Sequence, residues 1–497
     1  MIVAKRRQGR RASASAGHFL AILAGAWGVC ASAAEIDIAG PPGSGAFGST
    51  VTILPNGNIV VTDPEASTDT AANVGAIYLY SPAGTLISTL RGSSANDSVG
   101  DGPLFVLADG NVVALSPRWN NGDAAGAGAA TWIDGTTGLD GIVGADNSLV
   151  GSSAGDAVGF DVTVLAGGGC VITTPGWKNG DADDAGAATF VPAGGGVHGA
   201  VSAANSLIGA HSNDRVGERI VTLANGNYLV MSQHWTNGEL HEAGAVTWAS
   251  GSTGVAGAVS AQNSLVGDEH GDNIGSAFVH PFANGNALIG SPGWDSADAS
   301  DAGAITWIDG SHGLTGSVSS ANSLVGSSFG DLVGSSGWQE PITELAGGGY
   351  AILSNGWSDA NGVAVGAVTW VATTAAPVTG SITPANSLVG STQADLGTAR
   401  VIALANGNAV VAARDWANGD VPGAGAVTWI DGTHPLTGPI TVSSRLADLV
   451  ADRLDALDED AYAALEVLAL GEPLGVSTLE QLSSRFHKVD LLERVLG

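Results

Sequence analysis

The sequence predicts an all-β chain, a seven-bladed β-propeller of four-stranded blades followed by a small α-helical C-terminal segment. Three observations predict it. A phrase recurs: NSLVGSSAGDAVG from Asn147 returns from Asn205, Asn263, Asn322 and, shortened, from Asn386, at intervals of 58, 58, 59 and 64 residues. A period that regular marks one structural unit repeated. Each unit places two β-branched runs around a Gly-containing turn, the pattern of a hairpin. After Ser444 glycine becomes scarce and leucines fall at helical spacing.

The chain opens on an address. Lys5, Arg6, Arg7, Arg10 and Arg11 precede an apolar run from Phe19 to Val29 and then Ala31-Ser32-Ala33, so residues 1–33 are expected to be a secretory signal peptide. The apolar run is short for a membrane span, and no other stretch is long enough, so membrane insertion is not expected. Cys30 raises a lipoprotein anchor, but Trp27-Gly28-Val29 lacks the small residue expected just before a lipidated cysteine.

Residues 34–444 should hold the seven units. The hairpin turn is written PNGN at Pro55, ADGN at Ala108, AGGG at Ala166, ANGN at Ala224, Ala283 and Ala405, and AGGG at Ala346. Asn-Gly between alternating apolar residues suggests a type I′ turn. A polar loop follows, then a third strand such as GAVTWASG from Gly244, then the phrase, whose NSLVG reads as a fourth strand. Four short antiparallel strands describe a propeller blade. Glu35 to Gly48 aligns with the phrase yet precedes the first hairpin. Glu35 to Ala39 is therefore expected to close the ring by pairing with the unit that contains Trp429, removing an exposed sheet edge. A β-helix, the rival fold, has much shorter coils.

Phe47-Gly48, the Gly-Asp-x-Val-Gly signatures, Gly290-Ser291-Pro292 and the Gly-Ala-Val before the third strand resemble the FG-GAP repeat of integrin alpha-subunit propellers. Glu35 to about Ser444 is more similar still to a bacterial repeat family of unknown function found in large exported and surface proteins. The resemblance implies the fold and leaves activity open. Calcium-binding blades of the integrin type carry several Asp and Asn residues in the first hairpin loop. Here that loop is NGN, DGN or GGG, too few oxygens for the six to eight that calcium takes, so those sites are not carried over.

The loop after the second strand is richest in chemistry, and each copy carries a tryptophan: Trp119, Trp177, Trp235, Trp294, Trp357 and Trp416. In an FG-GAP-like blade this loop lies on one face with the loop joining neighbouring blades. The six indoles are therefore the candidate ligand-binding residues, with packing between blades the competing role. Trp132, Trp248, Trp307, Trp370 and Trp429 fall within third strands and are expected in the core.

Other candidates fall away on spacing. Asp181, Asp183 and Asp184, like Asp295, Asp298 and Asp301, do not follow a calcium loop and read as solvated acidic loops. Asp156, Asp214, Asp272, Asp331 and Asp395 read as carboxylates that accept bonds from their own turn backbone. Gly151 to Gly155 and Gly326 to Gly330 match Gly-x-Ser-x-Gly, but a nucleophile elbow needs a following helix where strands are expected. The histidines, among them His198, His211, His234, His241, His270, His280, His312 and His434, lack ligand spacing. No catalytic residue, metal or cofactor is expected. Cys170 stands where parallel units have Tyr228 or Tyr350 and reads as a buried strand residue.

The net charge is −30, and the leader holds five basic residues and no acidic one, which disfavours nucleic acid and anionic membranes as partners. In residues 445–497, Leu446, Leu449, Leu454, Leu457, Leu465 and Leu468 recur at helical intervals, and Ser477-Thr-Leu-Glu480 is a capping box before a second helix. The expected function is an exported, non-catalytic binding or adhesion module, secreted or at the cell surface with the periplasm possible, taking a glycan or an extracellular protein. A polysaccharide-acting enzyme and a spacer in a surface assembly are the alternatives.

Overall fold

The computed structural model describes residues 36–335, 340–432, 434 and 436–441. The expected signal peptide and helical segment lie outside them. Residues 1–39 group apart from residues 40–497, and residues 36–39 form no strand.

The described residues are all-β and form seven sheets, six of five strands and one of three. In the second sheet Leu104–Val106, Val112–Ser116, Ala129–Ile133 and Ser148–Val150 run antiparallel in chain order. A fifth strand, Gly199–Ala200, joins in parallel on Leu149 and Val150, and it belongs to the next unit. The first sheet likewise takes Gly141–Ile142 and the sixth takes Gly438–Pro439. Four strands per unit were expected; the donated fifth is too short, at two residues, for alternation to mark it.

The hairpin turns differ from expectation in type. Leu107 N–H donates to Asn111 O at 2.8 Å and Gly110 N–H to Leu107 O at 3.0 Å. Gly110 has φ +85°, whereas Asp109 does not adopt positive φ. A type I′ turn needs positive φ at both central residues; one left-handed glycine instead closes a type I turn with a G1 bulge. All seven hairpins share the glycine geometry.

The phrase itself is explained by its hydrogen bonds. Asn147 Oδ1 accepts from Gly144 N–H at 3.1 Å and Asn147 Nδ2 donates to Ile142 O at 2.9 Å. Asn147 thus folds the crossover between the strand given to the previous sheet and the strand kept at home. Ser148 Oγ then meets Thr131 Oγ1 at 2.7 Å inside the sheet, and the pair recurs in four further sheets. Gly151 cannot vary, because a Cβ there would stand 2.1 Å from Ala127 O.

Apolar side chains are buried between sheets. Six core clusters join consecutive sheets, as where Leu115 and Leu149 of the second meet Cys170, Ile172 and Trp177 of the third. Among the described residues none joins the seventh sheet to the first. The seventh sheet consists of Arg400–Ala403, Ala409–Ala413 and Ala426–Ile430, and the outer edge of its last strand has no strand beside it among the described residues. Residues 36–39, expected with Glu35 to pair with this unit and close the ring, form no strand, and Glu35 lies outside the described residues.

Candidate functional site

Loops of two kinds meet along one side of the array. The first follows the second strand and, in every unit but the first, carries the tryptophan. Trp119 N–H donates to Ser116 O at 3.1 Å, and Gly128 N–H returns to Trp119 O at 2.9 Å, so the residues between are held as a closed loop. The same return bond joins Gly186 to Trp177, Gly244 to Trp235, Gly303 to Trp294, Gly366 to Trp357 and Gly425 to Trp416.

The structure places these tryptophans in the core between sheets. Trp119, Trp177, Trp235, Trp294, Trp357 and Trp416 are only 4–6% exposed, and each belongs to one of the six clusters between sheets. An indole at the root of a glycine-rich loop has the neighbouring sheet within reach, and burying that much apolar surface outweighs leaving it in water. The indole N–H groups of Trp119, Trp177, Trp294, Trp357 and Trp416 are buried without a protein acceptor. Of the third-strand tryptophans, Trp248 donates to Gly310 O at 2.9 Å and Trp307 to Thr374 O at 3.0 Å, each in the next unit. Trp370 is buried and Trp132 half-buried, but Trp429 is exposed.

The second loop follows the fourth strand and turns on a buried aspartate. Asp214 Oδ2 accepts from Ala210 and His211 N–H at 2.9 Å, and its Oδ1 accepts from Thr236 N–H, also at 2.9 Å. Asp156, Asp272, Asp331 and Asp395 do the same with the residue after Trp177, Trp294, Trp357 and Trp416. The bonds within the turn were expected; the bond to the next unit was not, since the sequence shows which turn an Asp is in but not what lies across from it. Asp97, which the phrase pattern does not single out, has the same role.

These carboxylates are not electrostatically equal. Burial pushes Asp272 up to about 6, against the bonds from Asp295, Glu269 and Asp268 backbone, and the Asp268 charge adds to the rise. Burial also pushes Asp395 upward, but the Thr392 hydroxyl and the Ser391, Thr392 and Ala417 N–H groups outweigh it and hold Asp395 below the ordinary value. Burial weighs most on Asp272; the Asp268 charge on one side and the Thr392 hydroxyl on the other add to the difference.

The two loops bond to each other. Asn213 N–H donates to Asp183 O at 2.9 Å, Gly271 N–H to His241 O at 3.2 Å and Gly330 N–H to Ser300 O at 3.1 Å. The result is a ridge with a constant frame and tips that change from unit to unit. Exposed along it are Asp123, Asp181 and Asp183, then Glu239, His241 and Glu242, then Asp298 and Asp301, and Asp420. Lys178 Nζ pairs with Asp183 at 2.8 Å, His241 and His270 rings lie 5.7 Å apart, and Phe329 stands at a loop tip, 77% exposed. Ser153 and Ser328 lie in these loops with strands on both sides, not in a strand-to-helix elbow. Among the described residues no three His, Cys, Asp or Glu side chains are grouped to hold a metal ion.

A chain of similar sheets joined face to face, five of its units ending in an Asn-Ser-Leu phrase, is a β-repeat protein. The family model for a repeat of unknown function, DUF5650, matches residues 106–160, 164–218, 222–276, 281–335, 344–398 and 403–447, well over half of the chain. The chain belongs to that family. No functionally curated protein matches it. Among solved structures, a streptogramin B lyase is similar at 9% identity and a TM-score of 0.26, over 78% of this chain and 95% of the other. A protein of unknown function from Bacteroides caccae is similar at 14% identity and a TM-score of 0.21, over 46% of this chain and 69% of the other.

Proposed function

We propose that the protein is an exported, non-catalytic binding module whose seven sheets are propeller-type blades presenting the loop ridge to a glycan or an extracellular protein. One observation carries the reading: an invariant backbone frame holds exposed side chains that differ in each unit. Rigid scaffolds with variable loop tips are how repeat proteins recognise extended partners. The basic leader and its apolar run support export. Phe47-Gly48 and the Gly-Asp-x-Val-Gly signatures support blades of the FG-GAP kind, while the hairpin asparagines are engaged elsewhere: Asn225 and Asn227 Nδ2 both donate to Gly310 O, at 2.7 and 2.8 Å.

The test is binding of the chain without its first 33 residues to arrayed glycans and matrix proteins. A triple variant Asp181→Ser, Glu239→Ser, Phe329→Ser changes only exposed tips and should keep the fold while lowering affinity about tenfold or more. Binding that the triple variant leaves intact, or no binding to any member of the array, would count against the ridge.

A further inference from the structure

The two ends of the array expose opposite halves of one kind of interface. Within the chain, the face that each sheet turns toward the next unit is built from the second residue of its third strand, the tryptophan two residues on, and a first-strand residue. In the second sheet these are Ala130, Trp132 and Phe105, packed on Cys170, Ile172 and Trp177 of the third. In the seventh sheet the same positions are Val427, Trp429 and Ile402. Val427 is 76% exposed, although its counterparts Ala130, Ala188, Val246, Ile305 and Val368 are all buried, and Trp429 is 56% exposed. Three groups there lack the partners that their counterparts have among the described residues: these side chains, the outer edge of Ala426–Ile430, and the Nδ2 groups of Asn406 and Asn408. The counterparts of those asparagines, Asn284 and Asn286, clamp Thr374 O of the next unit.

The first sheet shows the complementary half. Val51 stands where the third unit has Val162, which is buried against the second sheet, yet Val51 is 57% exposed, with Ile53 beside it also exposed. The residues ahead of this sheet already follow the phrase register. Ser49 N–H donates to Thr62 O at 3.2 Å as Phe160 N–H donates to Thr173 O at 3.0 Å. The seventh sheet is the one without a fourth strand among the described residues. Each end leaves bare the face that, inside the chain, packs on the kind of face bared at the other.

We propose that a second copy of the chain fills this interface, the first unit of one molecule docking on the seventh sheet of another in head-to-tail order. The occupant follows from continuity with the six interfaces inside the chain, which join the same two faces, and from the exposure of both end faces in one chain. Such heterologous contacts propagate rather than close.

The experiment uses the chain without its first 33 residues, with sedimentation velocity from about 1 to 100 µM, the range in which a modest interface registers. The wild type should show mass rising with concentration. Val51→Asp blocks one end and Val427→Asp the other; both sites are exposed, so each variant should melt as the wild type does and stay monomeric alone. An equimolar mixture of the two retains one good face of each kind and should give dimers and nothing larger. Three results would overturn the proposal: a wild type that is monomeric with Trp429 resistant to oxidation, meaning that the chain's own first unit or its residues 442–497 cover the face; a monomer with Trp429 readily oxidised, meaning a bare end; or association that neither variant weakens.

Discussion

Trp177 is buried in the cluster between the second and third sheets. Repetition in six units is compatible both with a ligand ring and with packing, and composition cannot separate them. Only burial does so. If Trp177 is a core residue with an indole N–H that gains nothing, Trp177→Ala should cost roughly 3–5 kcal/mol of cavity and transfer energy. Trp177→Phe should cost far less, since it removes a buried donor without an acceptor. Urea melts of the two variants read the difference directly; equal losses would mean that the indole nitrogen has a role of its own. Asp272 makes the second residue-scale case. Its folded-state value of about 6 lies above the ordinary carboxylate value, so the charged form is disfavoured in the folded protein by about 3 kcal/mol at neutral pH. The stability of the neutral form is fully present below about pH 4 and is lost as pH rises through 6. Asp268→Ser with Glu269→Thr copies the surroundings of Asp395. It should raise the melting temperature at pH 7.5 and leave it nearly unchanged at pH 4.5; a rise of equal size at both values would count against the electrostatic cause.

Secondary structure was the most legible level. The hairpins, the third strand and the NSLVG strand lie where alternation and glycine put them, because each is fixed by its own side chains. The misses share a cause: each is a contact to the neighbouring unit. The donated strand is two residues long, the aspartates reach across, and the hairpin asparagines clamp a carbonyl roughly eighty residues away in the chain. None of these leaves a local pattern. Turn chemistry was half legible, since glycine was seen but not which of two turn types it serves. One element-scale consequence concerns the residue after the buried aspartate, which is left-handed at Ser98, Ala157, Arg215, Asn273 and Leu332 but not at Leu396. Leu332 has φ +49°, where Asn273 with φ +46° occupies the matching place. A left-handed leucine is strained by about 1 kcal/mol or more, and asparagine tolerates the region. Leu332→Asn should therefore stabilise by roughly 0.5–1 kcal/mol in a denaturant melt, with no effect from Asn273→Asp beyond a few tenths.

At the scale of the molecule, the candidate site moved outward by one layer. In the loop that the sequence marked, the tryptophan is buried at the root and the acidic and aromatic tips are exposed. Cys170 tells the same story in a single thiol: buried between the second and third sheets, it is pushed up to about 12 by desolvation, as its place in a strand implied. Burial of that kind belongs to the interface between units rather than to any one sheet, and so does most of the apolar core.

The donated fifth strand gives the array a direction of wear. Six sheets hold an edge strand that belongs to the following unit, so none of them comes away whole without its successor letting go. Among the described residues the seventh receives nothing and has three strands. Fraying, and the first cut by a protease, belongs at that end of a free molecule, and whatever docks there sets the lifetime of all seven.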